Sequence, residues 1–240
     1  MSAVNWREFW RTYRETEVRS ENDLFFEVGK TVNQQPISEE ALRLSIGLIT
    51  KGLKLTNKDR ILELCCGNGL ITKHLASLVD QVYAVDFVER LIEHARKFRS
   101  APNIHYVCAD ALGYLEQLMK NGLYVPSKVL LGDALGYFEP HALGDVLAGL
   151  KRLTGNNFIF MATGIPSEEL KYNFYNTPER VHRYKENQLR VNNTNDGIGR
   201  WWRKEELEHI AGQVDLRVTL SNQPLELSNF RTDAVFESRS

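Results

Sequence analysis

The residues of this chain best suited to chemistry stand where short β-rich runs end. Glu63-Leu64-Cys65-Cys66-Gly67-Asn68-Gly69 closes the first run and leads straight into a helical pattern. Glycine carries no Cβ, so such a turn lets backbone approach a ligand closely. Asp86 closes the next run, 17 residues beyond Gly69, and Asp110 closes the one after. A carboxylate at Asp86 is placed to accept hydrogen bonds from both hydroxyls of a ribose. Acids ending three successive strands, with a glycine turn among them, describe a nucleoside pocket on the edge where open α/β sheets bind ligands. The pocket does not read as a dinucleotide site: G-x-G-x-x-G fails at its third glycine, because Leu70, Ile71 and Thr72 follow Gly69. No G-x-x-x-x-G-K-[ST] phosphate loop occurs.

The elements that must hold these residues are legible as a rhythm. Runs at 60–66, 81–87, 104–110, 128–134 and 157–164 alternate with helical patterns at Leu70–Leu78, Glu89–Phe98, Leu112–Met119 and His141–Leu150. The runs are continuously apolar, as expected of strands covered on both faces, and their spacing fits a strand, a crossover helix and two loops. Right-handed crossovers then give a parallel, doubly wound sheet. A helix at Lys204–Ala211 and strands near 215–221 and 231–237 close the chain, the last two near enough in sequence to be antiparallel. Residues 1–55 are expected to be helical. Trp6, Phe9, Trp10 and Tyr13 form one stripe, and Ser38 before Glu39 and Glu40 starts a capped helix.

Composition bounds the rest. A chain of 240 residues, 42% hydrophobic and 25% charged, supports one domain with its own core. The expected division is a helical cap at 1–55, a ligand-binding core at 56–164, an insertion at 165–203, and a helix with a strand pair at 204–240. Lys and Arg number 30 against 31 Asp and Glu, a balance that argues against a general nucleic-acid binder. No apolar run is long enough for a bilayer, and arginine and glutamate among the first twenty residues leave no signal-peptide core. Cys65, Cys66 and Cys108 form neither a disulfide framework nor a C-x-x-C metal pair, so a cytoplasmic setting without a metal is expected.

At ILELCCGNG the sequence resembles the class I S-adenosylmethionine-dependent methyltransferases, whose first motif is acid-x-G-x-G-x-G after a buried strand. Cys65 stands where that motif has its first glycine, which narrows the backbone freedom there. VYAVDFVERLIEHAR is similar to the family's second motif and implies Asp86 as the ribose ligand, with Phe87 as a wall for the adenine. HYVCADA resembles the third and puts Asp110, with Ala111 beside it, near the adenine amino group. Glu63, Cys65, Gly67 and Gly69 complete the implied cofactor set, with Asp133 toward the methionine moiety. The family also implies a Rossmann-like, mostly parallel seven-stranded sheet with an antiparallel strand near its end. The implied cofactor is S-adenosylmethionine, leaving S-adenosylhomocysteine as product. The resemblance covers roughly 56–162 well and 204–238 loosely.

Methyl transfer to a hydroxyl needs a base; His141 in GYFEPHAL is the first candidate and His182 the second. The plainer reading makes each a structural or solvated histidine. Residues 165–204 carry eight Lys or Arg against five acids, and 165–203 hold six aromatics. That composition suggests a lid over a small acidic or sugar-like acceptor, or else a solvated excursion or a dimer contact. Lys30, Thr31 and Asn33, in the polar stretch 28–38, are candidates to touch the cofactor, whereas the aromatic stripe reads as packing. The expected function is methylation of a small polar acceptor at oxygen, with neither nucleic acid nor membrane as partner. A protein or glycan acceptor, a non-catalytic S-adenosylmethionine-binding protein and a nicotinamide-dependent oxidoreductase are the alternatives.

Overall fold

The structure, a computed structural model, describes residues 5–14, 18–122, 124–189 and 197–239. The chain opens with α1 (Trp6–Thr12) and α2 (Glu21–Glu27), a small hairpin of β1 (Thr31–Val32) and β2 (Gln35–Pro36), and α3 (Glu39–Gly52). The alternating part runs β3 (Arg60–Leu64), α4 (Leu70–Leu75), β4 (Gln81–Asp86), α5 (Glu89–Phe98), β5 (Ile104–Cys108), α6 (Ala111–Asn121), β6 (Lys128–Gly132), α7 (Pro140–Thr154) and β7 (Ile159–Pro166). Two helices, α8 (Lys171–Phe174) and α9 (Pro178–Leu189), lead to α10 (Lys204–Gln213), β8 (Leu216–Asn222) and β9 (Arg231–Ser238).

Seven strands form one sheet in the order β5-β4-β3-β6-β7-β9-β8. The first five are mutually parallel, and β9 slots antiparallel between β7 and β8. The continuous apolar runs are explained by the two faces of this sheet. Leu62, Leu64, Val129, Leu131 and Phe160 meet α6, α7 and α10 on one side. Ile61, Val82, Ala84, Leu130 and Met161 meet α3, α4 and α5 on the other. In the central strands β3, β6 and β7 most positions face a helix or a neighbouring layer, so the period-two alternation of a half-exposed sheet is confined to outer strands such as β8. Among the described residues no helix is long and apolar enough to cross a membrane.

Three expectations need correction. The stretch 31–36 is a hairpin rather than helix, turning through Asn33 and Gln34, both at positive φ (49° and 60°). Ile165 and Pro166 belong to β7, so the insertion starts later than 165. Its aromatic side chains also pack largely with one another: Tyr175 lies 4.5 Å from Tyr184 and 5.7 Å from Trp201, while Phe174 lies against Trp201 and Phe230. Lys171 is buried beside Tyr184 and Trp201 and pairs with Glu168, and Arg180 stacks on Phe174. Arg190, Asn192, Asn193 and Asn195 lie outside the described residues. Ser38 does cap α3, its hydroxyl accepting from the Ala41 N–H at 3.1 Å.

The amino-terminal segment is docked by one buried carboxylate. Glu27, only 2% exposed, accepts from Arg90 through Oε1, which also lies 2.8 Å from His94 Nδ1. Its Oε2 accepts from Asn68 at 2.9 Å, and the same Asn68 amide donates to the Leu24 carbonyl at 2.7 Å. Arg90 also donates to the carbonyl of Tyr13, at 3.2 Å. The N-terminal residues are thereby tied both to α5 and to the glycine turn. Removing one member of a buried ion pair leaves its partner uncompensated, at a cost of about 3–5 kcal/mol. Glu27→Ala is expected to lose that much stability in urea denaturation, and Glu27→Gln, which keeps an acceptor oxygen, less. A loss below about 1 kcal/mol for the alanine variant would show that docking does not rest on this carboxylate.

Candidate active site

Strands β3 and β6 lie side by side, yet the chain leaves β3 toward β4 on one flank and leaves β6 toward β7 on the other. Their carboxyl ends therefore part, and a crevice opens where the winding reverses. A cavity of about 350 Å³ occupies it, within the range of small-molecule sites. Ten of the site candidates named from the sequence line this cavity: Lys30, Glu63, Cys65, Gly67, Asp86, Phe87, Asp110, Ala111, Asp133 and His141.

Asp86 organises the end of the cavity beside the glycine turn. Its Oδ2 accepts from the Gly67 N–H and its Oδ1 from the Val88 N–H, both at 2.9 Å. Burial pushes its pKa up to about 6, against the lowering effect of those N–H donors. Each oxygen keeps a lone pair for a further donor. Glu63 is buried too; burial lifts its pKa to about 7, opposed by the Thr72 hydroxyl, which donates to Oε2 at 2.6 Å and ties the end of β3 to α4. Asp110 caps α6 by accepting from the Gly113 N–H at 3.0 Å, and Arg7 reaches to 3.8 Å from it. The Arg7 guanidinium lies 5.6 Å from the Phe87 ring centre.

Cys65 takes φ = 58°, the left-handed conformation that favours glycine, and its burial pushes the thiol pKa up, leaving it a neutral wall. Gly69 does not line the cavity. It begins α4 at φ = 78°, and a Cβ there would run into the hydroxyl of Tyr106, so its task is to turn the chain.

The opposite end is built differently. Asp133, also at positive φ (52°), is held by Lys30 and lies 3.5 Å from Arg231. Burial pushes its pKa up, but the two cations outweigh this and hold the carboxyl below its usual range, ionised and poorly suited to take a proton. His141, in the first turn of α7, is exposed at the cavity's edge and makes no hydrogen bond or ion pair among the described residues. His182 is a correction. It sits on α9 with its side chain 76% exposed, 3.5 Å from Glu186, and does not line the cavity, so it is not placed to act as a base there.

The sequence reading of the cavity passed over Trp6, Arg7, Trp10, Tyr137, Phe138 and Glu139. Trp6 and Trp10 lie 4.9 and 5.2 Å from Tyr137, ring centre to ring centre. Tyr137 is itself fixed, its hydroxyl donating to the Gly197 carbonyl at 3.0 Å. Trp202 steadies the same turn, its indole N–H donating to the Leu135 carbonyl at 3.0 Å. An aromatic stripe on a seven-residue helix is the signal that was present, since so short a helix cannot bury four rings by itself. Of the three residues proposed from the polar stretch, Lys30 lines the cavity; Thr31 and Asn33 do not.

Comparison with known proteins agrees with this geometry. The family described as a methyltransferase domain matches residues 61–156. Protein-L-isoaspartate O-methyltransferase 2 of Geotalea uraniireducens is 36% identical over 77 residues, 32% of this chain and 31% of that protein. The matches to the first curated relatives, which carry RNA and protein methyltransferase names, span less than a third of those proteins' length. Among solved structures, a SAM-dependent methyltransferase from Anabaena variabilis superposes with a TM-score of 0.63 at 17% identity, covering 98% of this chain and 93% of the other. Magnesium protoporphyrin IX methyltransferase from Synechocystis, with bound SAH, gives a TM-score of 0.58 at 13% identity over 98% of this chain and 95% of its own. At such identities the structural likeness is one of fold. With the glycine turn, the acid-tipped strands and the matched family in one place, residues 61–156 are a methyltransferase domain of the class I, S-adenosylmethionine-dependent kind.

Proposed function

We propose that this protein transfers the methyl group of S-adenosylmethionine to an oxygen of a small molecule, with His141 as the base. One observation carries the proposal: a single cavity is lined by the Gly67 turn with Asp86 at one end and by His141 at the other. The residues present fit the cofactor. The Asp86 carboxylate, fixed by two N–H donors, has lone pairs left for ribose hydroxyls, and Phe87 and Ala111 offer apolar surface for a base. Asp110 and Glu63 supply acceptors on either side, and Lys30, beside Asp133, supplies a cation toward the amino-acid moiety.

When bound, S-adenosylmethionine supplies a sulfonium methyl whose C–S bond breaks as the acceptor O–C bond forms, the electron pair staying on sulfur to leave S-adenosylhomocysteine. The protein's share is to hold the acceptor in line, keep water out and remove one proton. His141 takes that proton and releases it to solvent from its exposed edge. Histidine suits this role because its imidazole ordinarily changes charge near neutral pH. Asp133 is excluded from it by its two cations. The small-molecule reading is favoured because strand ends and the N-terminal helix converge on a cavity of about 350 Å³, the size of a small-molecule site. The anionic preference drawn from the basic insertion is not carried forward, since Lys171, Arg180 and Arg200 of that segment are engaged with Glu168, Phe174 and Glu206.

Two outcomes follow. Asp86 accepts ribose hydroxyls best when ionised, so S-adenosylmethionine affinity measured by calorimetry is expected to weaken about tenfold between pH 7 and pH 5, centred near the Asp86 pKa of about 6. The ligand-free fold responds with the opposite sign. A carboxyl whose pKa rises on folding contributes its stability at low pH and loses it as pH climbs through about 6. Asp86→Asn should bind ten- to a hundredfold more weakly, with that pH dependence gone, in keeping with the roughly 1.5–3 kcal/mol of a charged hydrogen bond. His141→Asn should lower the rate of labelled methyl transfer by about a hundredfold or more while cofactor affinity holds. Unchanged turnover in that variant would remove His141 from the mechanism.

A further inference from the structure

Helix α1 lies across the cavity and touches both of its sides. On one side, just past the ends of β5 and β4, Arg7 reaches to 3.8 Å from the Asp110 carboxylate and lies 5.6 Å from the Phe87 ring centre. On the other, past the end of β6, Trp6 and Trp10 rest on Tyr137, ring centres 4.9 and 5.2 Å apart. The sheet runs β5-β4-β3-β6 in space, so the glycine turn at the end of β3 falls between the two points of contact. A helix of seven residues is about 10 Å long, and Trp6, Arg7 and Trp10 all line the cavity it crosses.

The cap is fastened unequally. Helix α2 buries Leu24 and Glu27, and the Glu27 carboxylate is gripped by Arg90 and Asn68. Helix α1 buries no residue. Its attachments are the two rings on Tyr137, the bond from Arg90 to the Tyr13 carbonyl, and an Arg7–Asp110 pair whose side chains are 59% and 39% exposed. An exposed pair of that kind holds weakly, and so short a helix does not persist in water without packing. Elements with few buried contacts are the first to open, so α1 can lift while α2 stays latched.

We infer that α1 is a strap that gates cofactor exchange: S-adenosylmethionine enters and S-adenosylhomocysteine leaves when Trp6 and Trp10 lift from Tyr137; this rests on the cofactor alone and not on the oxygen-transfer reading above. Lifting the tryptophans carries Arg7 away from Asp110 and Phe87, so both sides of the cavity open in one movement. Closed, the strap keeps water from the sulfonium. It closes over the empty and the filled cavity alike, so the ring contacts are made in both states and cancel in the binding equilibrium. Their strength sets how fast the ligand passes, not how tightly it is held.

The test uses S-adenosylhomocysteine, so no acceptor is needed. Entry is timed by stopped-flow fluorescence, exit by dilution of the complex, and affinity by calorimetry. In the wild type the entry rate is expected to level off as ligand concentration rises, at the rate of strap opening. In Trp6→Ala and in Trp10→Ala the plateau and the exit rate should both rise about tenfold, the scale of a lost aromatic pair, with Kd within threefold. Trp10→Phe should stay within threefold of the wild type in all three quantities. Because α1 buries no residue, the variants are expected to fold, which thermal melting checks. Entry that stays linear in concentration, or rates unchanged in both alanine variants, would overturn the strap. So would faster exit with a proportionate loss of affinity, the mark of rings that merely touch the ligand. A wild-type protein that binds no S-adenosylhomocysteine would overturn the strap and the cofactor together.

Discussion

A carboxylate taken out of water must be given partners, and the cavity edge of this sheet carries several. Glu63 is held by Thr72, Asp86 by the backbone of Gly67 and Val88, and Asp133 by Lys30 and Arg231. Glu27 draws in Arg90, His94 and Asn68. Each pairing recruits a different part of the chain: α4, the glycine turn, the hairpin side of the cap, and β9. The acids suited to binding a ligand are therefore also the joints at which distant segments are fastened around it. Their burial has a consequence for charge: Asp86 and Glu63 are lifted by desolvation, while Asp133, given two cations, is lowered. The same edge therefore holds two carboxyls lifted toward a neutral pKa beside the glycine turn and a firmly ionised one beside Lys30.

Asp133 shows how much of the protein converges on one residue. It takes a left-handed backbone conformation just past β6, and its N–H donates to the Thr163 carbonyl on β7 at 3.1 Å. Its partner Arg231 also donates to the Gly164 carbonyl at 2.8 Å, while the Gly164 N–H donates to the buried Asp233 of β9 at 2.9 Å. The antiparallel strand inserted at the end of the chain is thus more than an edge to the sheet. It brings Arg231 to the cavity-lining Asp133, a cation that no crossover helix supplies.

The strand ends were legible in the sequence because a parallel sheet covered on both faces writes itself as apolar runs, and because the acids that interrupt those runs fall where strands stop. Asp86 and Asp110 could be located for that reason. What stayed hidden depends on contacts between distant segments. The hairpin at 31–36 turns through Asn33-Gln34, which lacks the glycine that usually marks such a turn. Trp6 and Trp10 have the spacing of a core stripe, and nothing local tells a stripe facing a core from one facing a cavity. His182 and the basic insertion drew attention by composition. Composition records neither which way α9 faces nor that Lys171 and Arg180 would lie against the insertion's own aromatic rings.

The division of labour in the cavity follows from these joints. The matched methyltransferase domain, residues 61–156, supplies the glycine turn, the acids and the fixed wall around Tyr137. The facing wall comes from α1, outside that domain, and it is held both by the Trp6 and Trp10 rings against Tyr137 and by Arg90, which donates to the Tyr13 carbonyl and to Glu27. Glu27 also grips Asn68, so the N-terminal segment is latched to the glycine turn. Seating the cap and shaping the glycine turn are thus one physical event. The rings on α1 add a second attachment, since Trp6 and Trp10 rest on Tyr137 of the matched domain.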